Sequence, residues 1–163
     1  MDMNLSTLIT SKLIKLDLAA KGKREVLSEM VELLYDAGKV KEKDTYLESV
    51  VNRENLGSTG IGMGIAIPHG KSDAITDVVI GFGRSKEGIN FEALDDNPVH
   101  LVFLLAAPKN VGGIYLKALA QLSRLLRTQE FRQRLMDAGT QEEILSILTT
   151  EPKQENLTSK TVS

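Results

Sequence analysis

The run Asn97–Pro108, "NPVHLVFLLAAP", constrains this chain more than any other stretch. Its apolar side chains fill both parities of the run instead of every second position, so a strand formed here has two faces to hide from water. Such a strand lies in the interior of a sheet, and that sheet needs cover on both sides. A second β-branched and apolar run, "DVVIGFGR" (77–84), is bounded by turn residues in the same way and supplies a neighbour.

The cover is legible as helices. In "KREVLSEMVELLYDAG", Val26, Met30, Leu33 and Leu34 recur at helical spacing and Gly38 is placed to end the helix. Asp44 is the expected cap of a second helix, with Leu47, Val50 and Val51 on one side and Arg53 near its end at about Asn55. After the strands, "YLKALAQLSRLLR" lines up Leu119, Leu122 and Leu126, and "QEFRQRLMDA" follows, stopping at Gly139. Thr140 and Glu143 form a capping-box pattern for a last helix, "QEEILSILTT". The order predicts an α/β fold: a single domain over residues 1–150, with a mixed β-sheet covered by helices on both faces. The tail, 151–163, is polar and is expected to be unstructured.

Composition removes several classes of function. A chain of 163 residues is the size of one ordinary domain, able to bury roughly 70% of its unfolded surface. Twenty basic and 22 acidic residues are spread along it, which leaves no basic stripe for nucleic acid, and aromatic residues for base stacking are scarce. There is no cysteine, so disulfides, thiolate catalysis and Cys-ligated metals are excluded, and the two histidines stand too far apart in sequence to suggest a metal site. No cofactor is expected. No run approaches the ~20 apolar residues of a membrane span, and the start "MDMNLSTLIT" has no targeting pattern. The expectation is a cytoplasmic protein that is not integral to a membrane.

The stretch Gly60–Lys71, "GIGMGIAIPHGK", then stands out for holding one of the two histidines between a proline and a glycine. A P-loop needs four residues between its first glycine and Gly-Lys-Ser/Thr, and five separate Gly64 from Gly70. A dinucleotide fingerprint needs a third glycine where this chain has Ile65 or Ile67. What the alternation of glycine or alanine with larger residues suggests instead is a strand with one nearly bare face. Pro68 would end it, His69 would be held at its rigid end, and Gly70 would make a tight turn with its N–H free. Lys71 adds a cation.

Three chemistries use a lone histidine of this kind. It could be the base of a triad, although no nucleophile-elbow motif marks a serine. It could be a general base for some other group, or the nucleophile itself, neutral near pH 7 and able to carry a group covalently. A phosphoryl group suits the corner best, because its transfer calls for positioning and positive charge around its oxygens and for little else. "RENLGSTG" offers Arg53 as a two-pronged donor, Ser58 and Thr59 as hydroxyls, and Gly57 and Gly60 as N–H groups.

At "NRENLGSTGIGMGIAIPHGKS" the chain resembles the enzyme IIA components of the fructose/mannitol class of the bacterial sugar phosphotransferase system, which include nitrogen-type regulatory relatives. The likeness continues through "EGINFEALDDNPVHLVFLLAAP" and the following helices, over roughly residues 5–150. It implies that His69 accepts a phosphoryl group from the phosphocarrier HPr and passes it to a IIB domain, with Arg53 contacting the group. Members commonly carry a second active-site histidine opening the helix after the "LLAAP" strand; here Tyr115 precedes Leu116 at that place, a departure that bears on the rate of transfer. Gly70, Ser58, Thr59 and Tyr115 complete the expected phosphate-binding set.

Each of these residues also has a plainer reading. Arg53 could neutralise a helix C-terminus, Ser58 and Thr59 could cap the next turn, and Lys71 could be a rim charge. Tyr115 shares the apolar stripe of Leu119, Leu122 and Leu126, and His100, in line with Val102 and Leu104, reads as a hydrogen-bonded core histidine. Three functions fit: a phosphocarrier in sugar uptake, a nitrogen-type regulator that binds proteins in one phosphorylation state, and a degenerate interaction protein.

Overall fold

The structure, a computed structural model, describes residues 5–149. In chain order its elements are β1 (Ile14–Lys15), α1 (Lys23–Asp36), α2 (Lys43–Leu56), β2 (Gly60–Gly62), β3 (Ile65–Ala66), β4 (His69–Lys71), β5 (Val79–Ile89), β6 (Val99–Ala107), α3 (Gly113–Leu126), α4 (Gln129–Asp137) and α5 (Gln141–Thr149). The strands form one mixed sheet ordered β1-β5-β6-β3-β2, with β4 also on β6. As its sequence requires, β6 lies inside the sheet, and all its residues but His100 are buried. One edge pairs antiparallel with β5, and the other is filled in parallel by two short pieces, β3 and β4.

Cross-strand partners share a face, which sorts the sheet into two sides. Gly81 and Gly83 stand opposite Leu104 and Val102, and Gly70 stands opposite Ala106. This is the face on which α1 and α2 lie, and it is close-fitted. A β-carbon on Gly70 would come 3.3 Å from Val50 Cγ2 and 3.4 Å from the Val50 backbone nitrogen of α2. The other face carries Phe82 and Phe103, whose ring centroids are 5.0 Å apart, and is covered by the three C-terminal helices, with α3 against β6 and α5 against β1. Helices on both faces of a mixed sheet are what the sequence predicts.

Boundaries differ where local chemistry decides them. The helix α2 starts one residue before the expected cap, with Glu42 at the N-cap and Asp44 in its first turn, where an acid still complements the helix dipole. At α5 the capping box forms: the Glu143 N–H donates to Thr140 Oγ1 at 3.1 Å, and the Thr140 N–H donates to Glu143 Oε1 at 3.2 Å. The single strand expected over "IGMGIAIP" is a hairpin of β2 and β3. Gly62, Met63 and Gly64 all have positive φ (101°, 61° and 77°), and three such residues in a row reverse the chain. The edge strand β1 gave no periodicity to read, being two residues long. Arg84, expected only to end a strand, is buried with its guanidinium donating to the carbonyls of Leu16, Leu135, Met136 and Ala138, which ties β5 to the end of α4. The tail, 151–163, lies outside the described residues.

Gly70→Ala should leave the fold intact and lower stability by about 1 kcal/mol in urea titration, because the new methyl crowds Val50 Cγ2, which must shift slightly beside α2 backbone already at contact distance. A midpoint equal to wild type would show that α2 does not depend on this close approach.

Candidate active site

The site grows from the gap between β3 and β4. Pro68 has no N–H to give, but its carbonyl still accepts from the Leu105 N–H at 3.0 Å. Only one donor is lost, so the ladder is interrupted there without ending, and it resumes as His69, Gly70 and Lys71 opposite Leu105, Ala106 and Ala107. Two expectations are corrected by this. His69 opens a strand instead of ending one, and Gly70 is a buried ladder residue under α2, outside any turn.

His69 is half-buried, and its Nδ1 lies 2.8 Å from the Ile67 carbonyl oxygen. A carbonyl can only accept, so the proton is on Nδ1 and the lone pair is on Nε2. Burial holds the imidazole below its ordinary value near 6.5; the Arg53 charge adds to this, while the Ile67 hydrogen bond and Glu54 act the other way. The ring is neutral at pH 7 and has a free nucleophilic nitrogen. Among the described residues no serine hydroxyl and no carboxylate hydrogen-bonds it, so the triad arrangement is not formed.

Around this ring the chain gathers most of the expected residues. Tyr115, in the first turn of α3, stands edge-on to His69 with centroids 6.1 Å apart and planes at 71°. Its ring is only 7% exposed, and burial pushes its phenol up to about 12 against the opposing pull of Arg53. Arg53, in the last turn of α2, donates from Nη1 to the Gly57 carbonyl at 2.9 Å, and its charge acts on both His69 and Tyr115. Arg53 therefore closes the helix end, its plainer reading, while its charge also reaches His69 and Tyr115. Ser58 Oγ accepts from the Gly60 N–H at 3.1 Å, which leaves the hydroxyl proton to donate elsewhere. The ammonium of Lys71 lies 4.7 Å from the Tyr115 ring centroid.

Thr59 does not fit the role expected of it. It is buried, its N–H donates to Glu54 Oε2 at 2.8 Å and its hydroxyl donates to Glu54 Oε1 at 2.6 Å. A hydroxyl already committed to a carboxylate has no proton for a phosphoryl oxygen, so Thr59 anchors the loop and does not donate into the site. Glu54 is the residue the sequence reading missed. It is 4% exposed and also pairs with Lys23 of α1 at 3.1 Å. The available signal was an acid in the last turn of a helix, unfavourable to the dipole unless a partner compensates. His100 lies five residues from Leu105 along β6, about 16 Å at strand spacing. It is half-buried, and its Nδ1 donates to the Ser85 carbonyl at 2.9 Å, so it is hydrogen-bonded, apart from the site and less enclosed than a core residue.

Residues 7–151 match the family described as "Phosphoenolpyruvate-dependent sugar phosphotransferase system, EIIA 2". The chain belongs to this family. A fructose-specific EIIABC component of Bacillus subtilis is 42% identical over 93% of the chain, which spans only 24% of that protein's length. A fructose-specific EIIA component of Haloferax volcanii is 35% identical over 89% of the chain and 94% of its own. Among solved structures, the nitrogen regulatory protein IIA-Ntr of Neisseria meningitidis superposes with a TM-score of 0.78 at 32% identity, covering 88% of this chain and 98% of that one. Enzyme IIAMtl, solved in complex with phosphorylated enzyme IIBMtl from Escherichia coli, gives a TM-score of 0.74 at 26% identity, covering 86% of this EIIA chain and 96% of that one. Among the described residues no helix is long and apolar enough to cross a membrane.

Glu54→Ala should cost about 3 kcal/mol by leaving the Lys23 ammonium and the Thr59 donors without their partner. It should also speed amide exchange at Thr59, whereas Glu54→Gln, which can still accept from Thr59, should recover part of the loss. Unchanged exchange at Thr59 in the alanine variant would show that the 57–60 loop is held by something else.

Proposed function

We propose that this chain is a cytoplasmic phosphohistidine carrier. His69 Nε2 accepts a phosphoryl group from an HPr-type phosphocarrier protein and passes it to the IIB domain of a fructose-type sugar permease. The observation that carries this reading is the Ile67 carbonyl on His69 Nδ1, which fixes the tautomer and leaves Nε2 unprotonated. In the transfer the Nε2–P bond forms as the bond from phosphorus to the donor breaks, and the donor atom leaves with the electron pair. The ring keeps its Nδ1 proton and so becomes cationic. The Ile67 carbonyl is already placed to stabilise that charge, as a group orienting an imidazolium does elsewhere.

Charge on the phosphoryl oxygens is met by Arg53, whose remaining N–H groups form a fork, and by the free proton of Ser58. The Tyr115 hydroxyl stays protonated at any working pH and adds a neutral hydrogen bond. Gly70 contributes by letting α2, and with it Arg53, come close. Fructose-type uptake is favoured by the fructose-specific relatives. A second reading, a nitrogen-type regulator that binds other proteins in one phosphorylation state, is favoured by the likeness to IIA-Ntr and uses the same His69.

Incubation with phosphoenolpyruvate, enzyme I and HPr, with and without IIB domains, tests both. His69 should be the site of an acid-labile, base-stable adduct, and His69→Ala should take none; an adduct surviving in that variant would disprove the assignment. Phosphoryl leaving for a sugar-specific IIB domain favours transport, and retention favours regulation. Because protonation removes the attacking lone pair, the acceptance rate should be level around neutrality and fall with decreasing pH, with an apparent pKa below 6.5. A midpoint above 6.5 would contradict the buried, neutral imidazole.

Arg53→Lys should slow acceptance roughly tenfold or more although the charge is kept, since an ammonium cannot place two parallel N–H bonds. Wild-type kinetics in that variant would remove Arg53 from the reacting group.

A further inference from the structure

We propose that Lys71 and Tyr115 act as one unit: the face of the tyrosine ring holds the lysine ammonium beside His69, where it supplies a second positive charge to the phosphoryl group. This rests on the carrier reading and adds to it a charge that does not depend on any histidine.

The strand β4 places the lysine. Residues two apart on a strand share a face, so Lys71 lies on the His69 side of the sheet, with Cα atoms roughly 7 Å apart. Gly70 between them turns to α2. Both residues are fixed by ladder pairing, His69 to Leu105 and Lys71 to Ala107. The first turn of α3 lays Tyr115 over the same face, where its ring stands T-shaped to the imidazole with centroids 6.1 Å apart and carries the ammonium over its face, 4.7 Å from the centroid.

The lysine is otherwise uncommitted. Its side chain is exposed, and among the described residues no carboxylate pairs with it; nearby in sequence, Asp73 is paired with Lys109 at 3.8 Å. An exposed lysine with no partner spreads its charge over many rotamers. Here a buried ring collects it by the attraction between a cation and the negative π-face. A phosphoryl group on His69 carries two negative charges on its oxygens; the cationic ring lies across the N–P bond from them, and Arg53 brings them one charge, part of it spent on the Gly57 carbonyl. The ammonium adds a second positive charge at those oxygens. The ring face is the part of Tyr115 that does this; the hydroxyl is separable from it.

That separability gives the test. Phosphoryl transfer from phosphorylated HPr to the full chain is timed for wild type, Lys71→Met, Lys71→Arg, Tyr115→Phe, Tyr115→Leu and the two combinations of a Tyr115 change with Lys71→Met, with thermal melting as a control for folding. Lys71→Met should slow acceptance about fivefold, and Lys71→Arg should restore most of the rate. Tyr115→Phe keeps the ring face and should lose less than Tyr115→Leu. The further loss from phenylalanine to leucine should appear when Lys71 is present and vanish in Lys71→Met, because the ring then has no ammonium to hold. A phenylalanine-to-leucine loss of the same size in both backgrounds would overturn the unit. So would a wild-type rate in Lys71→Met, a surface change that does not threaten folding. A wild-type chain that takes no phosphoryl at all overturns the carrier reading and the unit with it, whereas a phosphorylated His69 with an indifferent Lys71 overturns the unit alone.

Discussion

A strand buried on both faces must have both its edges paired as well, since an unpaired main-chain group inside a core loses its bonds to water and gains none. β6 meets the first demand with two layers of helix and the second with β5 on one edge and a broken strand on the other. The break falls at Pro68, the one residue of that edge without a donor. On either side of it the chain is held by the ladder, so the break moves no one out of line. It makes a fixed notch where the backbone of Ile67 is free to receive the ring of His69.

The walls of the notch come from opposite layers. From one side, α2 brings Arg53 and Glu54, adjacent residues with opposed tasks: the arginine faces the site, and the glutamate draws Thr59 and Lys23 into the interior and so fixes the loop that carries Ser58. From the other side, α3 brings Tyr115. The close approach of α2 depends on the sheet being thin where it crosses, and Gly70 provides this. A methyl there would crowd the Val50 side chain and fill the space up to the α2 backbone, one turn before Arg53.

Electrostatically the site separates its roles by burial. The imidazole is kept neutral by partial burial and by the Arg53 charge beside it, while Lys71 is exposed and Arg53 only partly buried. On the proposed reading this is a nucleophile with a lone pair at neutral pH, set among groups that gain when charge arrives. Exposed Leu56, Ile114 and Leu116 follow or flank Arg53 and Tyr115 in sequence.

The sequence by itself determined the class of fold and the candidate for the reacting residue. The unbroken apolar run of β6, the periodicities of α1 to α4 and the capping box of α5 are local facts, and each is read from residues within a few positions of one another. His69, Arg53 and Ser58 were legible for the same reason, as a cluster of donors around a histidine held between Pro68 and Gly70. What it could not determine were the outcomes of contacts between distant parts. That "IGMGIAIP" folds into a hairpin depends on β3 docking on β6; that Gly70 belongs to a ladder depends on the same edge; and Thr59 was lost to the site because a buried acid one helical turn and a loop away claimed both its donors. Only the tertiary structure placed Lys71 over Tyr115, since a strand and a helix more than forty residues apart in sequence meet there. Hydrophobic pattern is written along the chain, whereas the allotment of hydrogen bonds and charges is settled by whichever partner the packed core brings within reach.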